Sequence, residues 1–219
     1  MVLLVGAGCL ALIQLRQPAM LPRPNSGMGG SATRALNQLP VRPTASHAGY
    51  SREQFSNGWE SVGECTIRDK ILARDMTDVH YRSPTDCTVI SGTLAEPYTG
   101  TTIYFVRGPG TSTAVQIDHV VAVSDSWQTG AQQLSKEQRQ QLYNDPLELL
   151  AVDGPSNDEK SDSDAAGWLP PNRDYDCRYV ARQIAVKQKY HLWVTFAERT
   201  AMQKTLASCP GQPLPSVED

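Results

Sequence analysis

The sequence predicts an α+β domain, and three observations carry that reading. Two β-branched runs, residues 87–94 and 100–106, flank a turn at Glu96-Pro97-Tyr98-Thr99-Gly100, which is the pattern of an antiparallel hairpin. Two further apolar runs, residues 115–123 and 147–152, are short enough for buried strands. Helical spacings lie before, between and after these strands, so helices flank the hairpin and the apolar strands.

In chain order, the first helix is expected over residues 65–75, where Ile67, Ile71 and Leu72 fall at helical spacing with charges opposite. The hairpin follows, then the strand over residues 115–123. Ser135-Lys136-Glu137-Gln138 has the form of a capping box, and the straight-chain polar run behind it predicts a surface helix ending at Asn144-Asp145-Pro146. The strand over residues 147–152 stops at Asp153-Gly154-Pro155. Trp168-Leu169-Pro170-Pro171-Asn172 reads as a rigid turn. Residues 178–207 carry Val180, Ile184, Leu192, Phe196 and Met202 on one or two amphipathic helices.

The N-terminal part has a different composition. Met1 to Ile13 is an apolar run too short to span a bilayer comfortably but suited to the core of a signal peptide, although no basic residue precedes it. Residues 1–20 are therefore expected to be a signal peptide or membrane-proximal segment. Gly6-Ala7-Gly8-Cys9 offers lipid anchoring as the lesser option. Residues 21–51, rich in Pro and Gly, are expected to be a disordered linker, residues 52–209 the folded domain, and residues 210–219 a flexible tail.

With 219 residues, 40% of them hydrophobic, the chain is long enough for one ordinary core. Its 20 Lys and Arg stand against 23 Asp and Glu, a formal charge of −3, so no global field draws it to a polyanion. Any nucleic-acid contact requires a local basic patch. Apart from Cys9 there are four cysteines, an even number that fits an oxidising compartment. Of the three connectivities they allow, Cys65–Cys87 with Cys177–Cys209 closes the shortest loops, and no CxxC spacing suggests structural zinc. Gly-rich phosphate loops, HExxH and GxSxG are absent.

The chemistry-bearing residues are Asp118-His119 inside the apolar run Ile117–Val121, and Asn157-Asp158-Glu159-Lys160 after the next strand. A carboxylate and an amide oxygen suit a hard divalent cation, and a neutral imidazole beside them can deprotonate water. Arg68 and Arg74 on the first helix, Lys160, and Arg178 with Arg182 one helical turn apart are candidate phosphate contacts. Asp162 and Asp164 are candidates for a water-mediated outer shell. His80 and His191 stand in ordinary contexts and are assigned no role.

Asp118-His119-Val120, residues 147–152, and Asn157-Asp158-Glu159-Lys160 resemble the HNH, or ββα-metal, endonucleases. The closer similarity is to secreted bacterial HNH-family proteins related to the C-terminal domain of GmrSD-type modification-dependent restriction enzymes. It runs from about Trp59 to Cys209 and includes Trp168-Leu169-Pro170-Pro171-Asn172, Tyr179-Val180-Ala181-Arg182-Gln183 and Lys187.

The resemblance implies a ββα-metal core with His119 as general base and Asp118 and Asn157 as metal ligands. Mg²⁺ is the expected cofactor, with Mn²⁺ or another divalent ion as alternatives. DNA or another nucleic acid is the expected partner, and the protein is expected to be secreted, with no stable membrane partner once the signal is removed. The family's middle Asn, which braces the loop holding the base, is replaced here by Glu148, a possible orienting residue. Because adjacent strand residues point to opposite faces, a bulge near His119 is expected to bring Asp118 and His119 together. The alternative is a non-catalytic extracellular binding module on a degenerate HNH fold. A toxin effector with the same chemistry is a further option.

Overall fold

A computed structural model describes residues 30–215 of the chain. The expected signal segment, residues 21–29 of the expected linker and the last four residues lie outside that range.

The described chain opens with helix α1 (Ser31–Gln38), whose Ala32, Ala35 and Leu36 are buried in the main core. An extended segment with a 3-10 turn (Arg52–Gln54) follows, then the two-residue strands β1 (Ser61–Val62) and β2 (Cys65–Thr66), and helix α2 (Ile67–Asp75). Thr66 caps α2, its side chain accepting from the Asp69 amide. Asp69, buried, also accepts from the Val89 amide (3.0 Å) and the Arg107 guanidinium (2.5 Å), which fixes α2 to the next sheet.

That sheet is antiparallel, in the order β3 (Met76–Tyr81), β4 (Val89–Ala95), β5 (Thr102–Val106). The expected hairpin is β4–β5, with its turn at residues 96–100. Strand β3 carries no strand signal in the sequence: Met-Thr-Asp-Val-His-Tyr has little apolar content, and most of it is exposed.

Strand β6 (Val115–His119) pairs antiparallel with β7 (Leu149–Asp153), and helix α5 (Gly154–Lys160) follows β7 at once. The Asp153 side chain accepts from the Ser156 amide, and Pro155 occupies the first turn, where a missing N–H costs nothing. Between the strands lie α3 (Val123–Gln128) and α4 (Lys136–Tyr143), the latter opened by the Ser135/Gln138 capping box. The apolar run expected as one strand through Val123 therefore ends at His119 and turns into α3. Helix α4 is not purely superficial, since Arg139, Leu142 and Tyr143 are buried. Two long helices, α6 (Asp176–Lys189) and α7 (Phe196–Ala207), complete the fold. Among the described residues there are seven α-helices, with antiparallel strand pairing in all three sheets.

β7 explains why its sequence reads as a continuous apolar run. Leu150 and Val152 enter the core built around α6, while Leu149 and Ala151 enter a second core beneath α2, so both faces are buried. Both expected disulfides form, Cys65–Cys87 and Cys177–Cys209.

Three expectations fail. Residues 30–51 are not a disordered linker, because α1 and Leu39 bury apolar side chains against α6 and α7. Residues 210–215 are not a free tail: Gly30 donates to the Pro210 carbonyl, Ala32 to Gln212 O (3.2 Å) and the Leu214 amide to Ser31 Oγ (2.7 Å). And no bulge interrupts β6, whose pairing runs without a shift from Val115 opposite Asp153 to His119 opposite Leu149.

Candidate active site

Because β6 is regular, Asp118 and His119 leave it on opposite faces. His119 turns toward the α2 side, stacked on Trp59 (5.6 Å between centroids, 7° between planes) and close to the Tyr143 ring (4.3 Å). Asp118 turns toward α6, where Tyr98 donates to its Oδ2 (2.5 Å) and Lys160 to its Oδ1 (2.9 Å). Both residues nevertheless border one cavity of about 360 Å³, together with Tyr50, Arg52, Asn157, Lys160 and Asp162.

His119 is 5% exposed, and its Nε2 lies 2.9 Å from the Tyr143 carbonyl oxygen. A carbonyl can only accept, so Nε2 carries the hydrogen and Nδ1 keeps the lone pair. Burial and then the nearby Arg52 charge push the imidazole down to about 3, against the upward pull of the Tyr143 carbonyl and with a smaller push from Lys160. At neutral pH the ring is uncharged, with Nδ1 as its free acceptor.

Lys160, only 1% exposed, also donates to the His119 carbonyl (2.9 Å). Helix α5 thus ties itself to the strand end through one ammonium group, which spends its charge on Asp118. Asn157 donates to Gln116 Oε1 (2.7 Å), and Gln116 donates to Asp158 (3.1 Å), which leaves the Asn157 amide oxygen available.

Glu148 is buried, and its Oε2 accepts from the Val121 amide (3.2 Å) while its backbone carbonyl accepts from the Val120 amide (2.9 Å). It grips the chain just past His119 through these two bonds. Burial lifts its carboxyl well above the usual range.

Tyr98 reaches Asp118 from the β4–β5 turn. Asn172 holds that turn, donating its side-chain amide to Pro97 O (2.9 Å) and its backbone N–H to Tyr98 O (2.8 Å). The residues 168–172 therefore support Asp118 at one remove, through Tyr98.

The donor set suits a hard cation. Each Asp118 oxygen retains a second lone pair, and the Asn157 amide oxygen is unengaged. No cluster of three or more His, Cys, Asp or Glu is arranged to hold a metal among the described residues, so such an ion would complete its shell with water, as Mg²⁺ commonly does.

The other sequence candidates lie elsewhere. Arg68 donates to Val115 O (3.0 Å), Arg74 to Pro146 O (2.7 Å) and Leu149 O (2.8 Å), and Arg182 to Leu147 O (2.9 Å), so all three brace backbone. Arg178 stacks over Tyr175, and none of the four borders the His119 cavity. Asp162 borders it, whereas Asp164 caps a turn through Ala166 N and Gly167 N. Lys187 is fully buried between Asp125 and Glu198 (3.0 and 2.8 Å), an internal ion cluster of α6, α3 and α7.

Sequence reasoning missed Trp59, Tyr143, Arg52, Tyr50 and Tyr98. The first four come from a segment read as linker or domain edge and from a helix read as superficial. The sequence around Tyr98 signals only a turn.

The family of GmrSD restriction endonucleases, C-terminal domain, matches residues 66–205. This chain belongs to that family, which carries a nuclease-type HNH domain. It is also 36% identical over 202 residues to an uncharacterized secreted protein of Arthroderma benhamiae, covering 91% of this chain and 95% of that protein. No solved structure matches it.

Proposed function

We propose that the protein is an exported endonuclease that hydrolyses phosphodiester bonds in DNA, or in nucleic acid more broadly, with His119 as general base. The observation that carries this is the His119 ring: neutral, locked in one tautomer by the Tyr143 carbonyl, and on the wall of a cavity shared with Asp118 and Asn157. Nδ1 takes a proton from a water molecule, and the resulting hydroxide attacks phosphorus in line, displacing the 3′ oxygen. Asp118 and Asn157 would hold a divalent cation, Mg²⁺ or Mn²⁺, which when bound neutralises phosphate charge and stabilises the leaving oxygen. Lys160 keeps α5 and the strand end in register, and Glu148 orients the backbone that follows the base.

Export is supported by the two disulfides, which persist in oxidising compartments, and by the secreted relative.

The test is nicking of supercoiled plasmid with added Mg²⁺. His119→Ala should lose about 10²- to 10⁴-fold in rate; equal nicking by mutant and parent rejects the mechanism. Two observations favour the second reading, a binding-only module: His119 is only 5% exposed, and Glu148 stands where the resemblance calls for Asn. Robust cleavage by the parent excludes that module, and a large gain on Glu148→Asn would support it.

A further inference from the structure

The cavity at His119 has an uneven charge distribution. Asp158 and Asp162 border it on the α5 side, where they repel a phosphate. Two cations border it, Lys160 and Arg52. Lys160 is committed to Asp118 and to the His119 carbonyl. Arg52 is exposed and forms no ion pair with a carboxylate among the described residues.

Arg52 is also pre-oriented. Its Nε donates to the Tyr143 hydroxyl (3.1 Å), and its guanidinium lies over the same ring, 5.2 Å from the centroid. Tyr143 in turn supplies the carbonyl that orients His119, so one residue sets both the base and the guanidinium. The backbone that carries Arg52 is held in place: Phe55 is buried, and Arg139 donates to the Gln54 carbonyl (3.0 Å). With Nε engaged, the two terminal nitrogens remain for a ligand, which is the fork that matches two oxygens of one phosphate.

We infer that Arg52 is the phosphate anchor of this site, binding the nucleic-acid backbone through its terminal guanidinium nitrogens beside His119. This rests on the nuclease reading above and adds to it a residue on a segment outside the matched residues 66–205. It also supplies the local positive charge that the net −3 of the chain does not.

The experiment uses full chains carrying His119→Ala, so that binding is read without cleavage, and a short labelled DNA duplex titrated across salt concentrations. Arg52→Gln should weaken binding about 10- to 100-fold and lower the slope of log affinity against log salt by about 1. Arg52→Lys keeps the charge, so it should retain the slope and lose part of the affinity. Glu53→Gln, the neighbouring exposed control, should change neither.

Parental affinity and slope in Arg52→Gln would overturn the inference, as would a parent that shows no salt-dependent binding. If a thermal melt shows Arg52→Gln to be unfolded, Arg52→Lys decides: loss of the slope with the charge retained overturns the inference. Failure here is separable from failure of the nuclease reading. Cleavage by a His119-intact Arg52→Gln protein with parental KM removes Arg52 alone, whereas a parent that never nicks plasmid removes the reading itself.

Discussion

The site is built by two regions of contrasting character. The β6–β7–α5 unit holds Asp118, His119, Asn157 and Lys160 on regular hydrogen-bonded elements, two of them joined by a ladder without a register shift. The segment over residues 30–59 has one helix and one 3-10 turn, yet it brings Trp59 onto the His119 ring and places Tyr50 and Arg52 at the cavity. The first region lies within the residues that the family match covers, and the second lies before them. The difference shows that the ββα unit does not by itself set the electrostatics of His119: the Trp59 cover and the Arg52 charge come from the preceding segment, and the Tyr143 cover comes from α4.

The contrast can be broken at either region. In the ββα unit, Lys160→Met leaves the Asp118 carboxylate buried with only Tyr98, and urea denaturation should show a loss of about 3 to 5 kcal/mol. A loss below 1 kcal/mol would mean that the pair is not shielded as described. In the preceding segment, Leu36→Ala removes a fully buried side chain from the main core and should cost about 2 to 5 kcal/mol by the same measurement. A neutral result would return residues 30–51 to the status of a linker.

Trp59→Ala sharpens the comparison further. It uncovers one face of the His119 ring, so the imidazole should titrate upward from about 3, visible as a shift of its ring-proton resonances against pH. Cleavage should fall about tenfold as the base loses its fixed orientation. An unmoved titration would assign the burial to Tyr143 instead.

The last prediction concerns acid stability. The unfolded chain protonates His119 below 6.5, and the folded chain resists doing so until about 3. The contribution of this group is therefore complete above 6.5 and is lost as pH falls toward 3. The melting temperature should decline over that range, and His119→Phe should flatten the decline relative to the parent.

What was legible in the sequence followed local rules. The hairpin, the Ser135/Gln138 cap and the apolar run of β7 each follow from spacing or composition, and all three stand in the structure. Both disulfides follow the shortest-loop pairing. The illegible parts depend on contacts distant in sequence. Tyr98 reaches Asp118 because Asn172 holds the turn between β4 and β5, and no local pattern announces either contact. Helix α1 is short and set among prolines and glycines, and it is stable because α6 and α7 give it a surface to bury against. The arginines four apart at 178 and 182 looked like one phosphate-binding face, but Arg182 is turned inward onto the Leu147 carbonyl.

The crossing of Gly30 with residues 210–212 links the two ends of the described chain. A side-chain carbon at position 30 would lie 2.1 Å from the Gln212 carbonyl oxygen, so a single methyl group there would act as a wedge. Fraying is then not an independent event at each end. Release of residues 210–215 removes a partner of α1, and α1 is the start of the segment that carries Arg52 and Trp59 toward His119. Hydrogen exchange at the Ala32 amide, which donates to Gln212, should therefore act as a remote gauge of how firmly the cavity is closed.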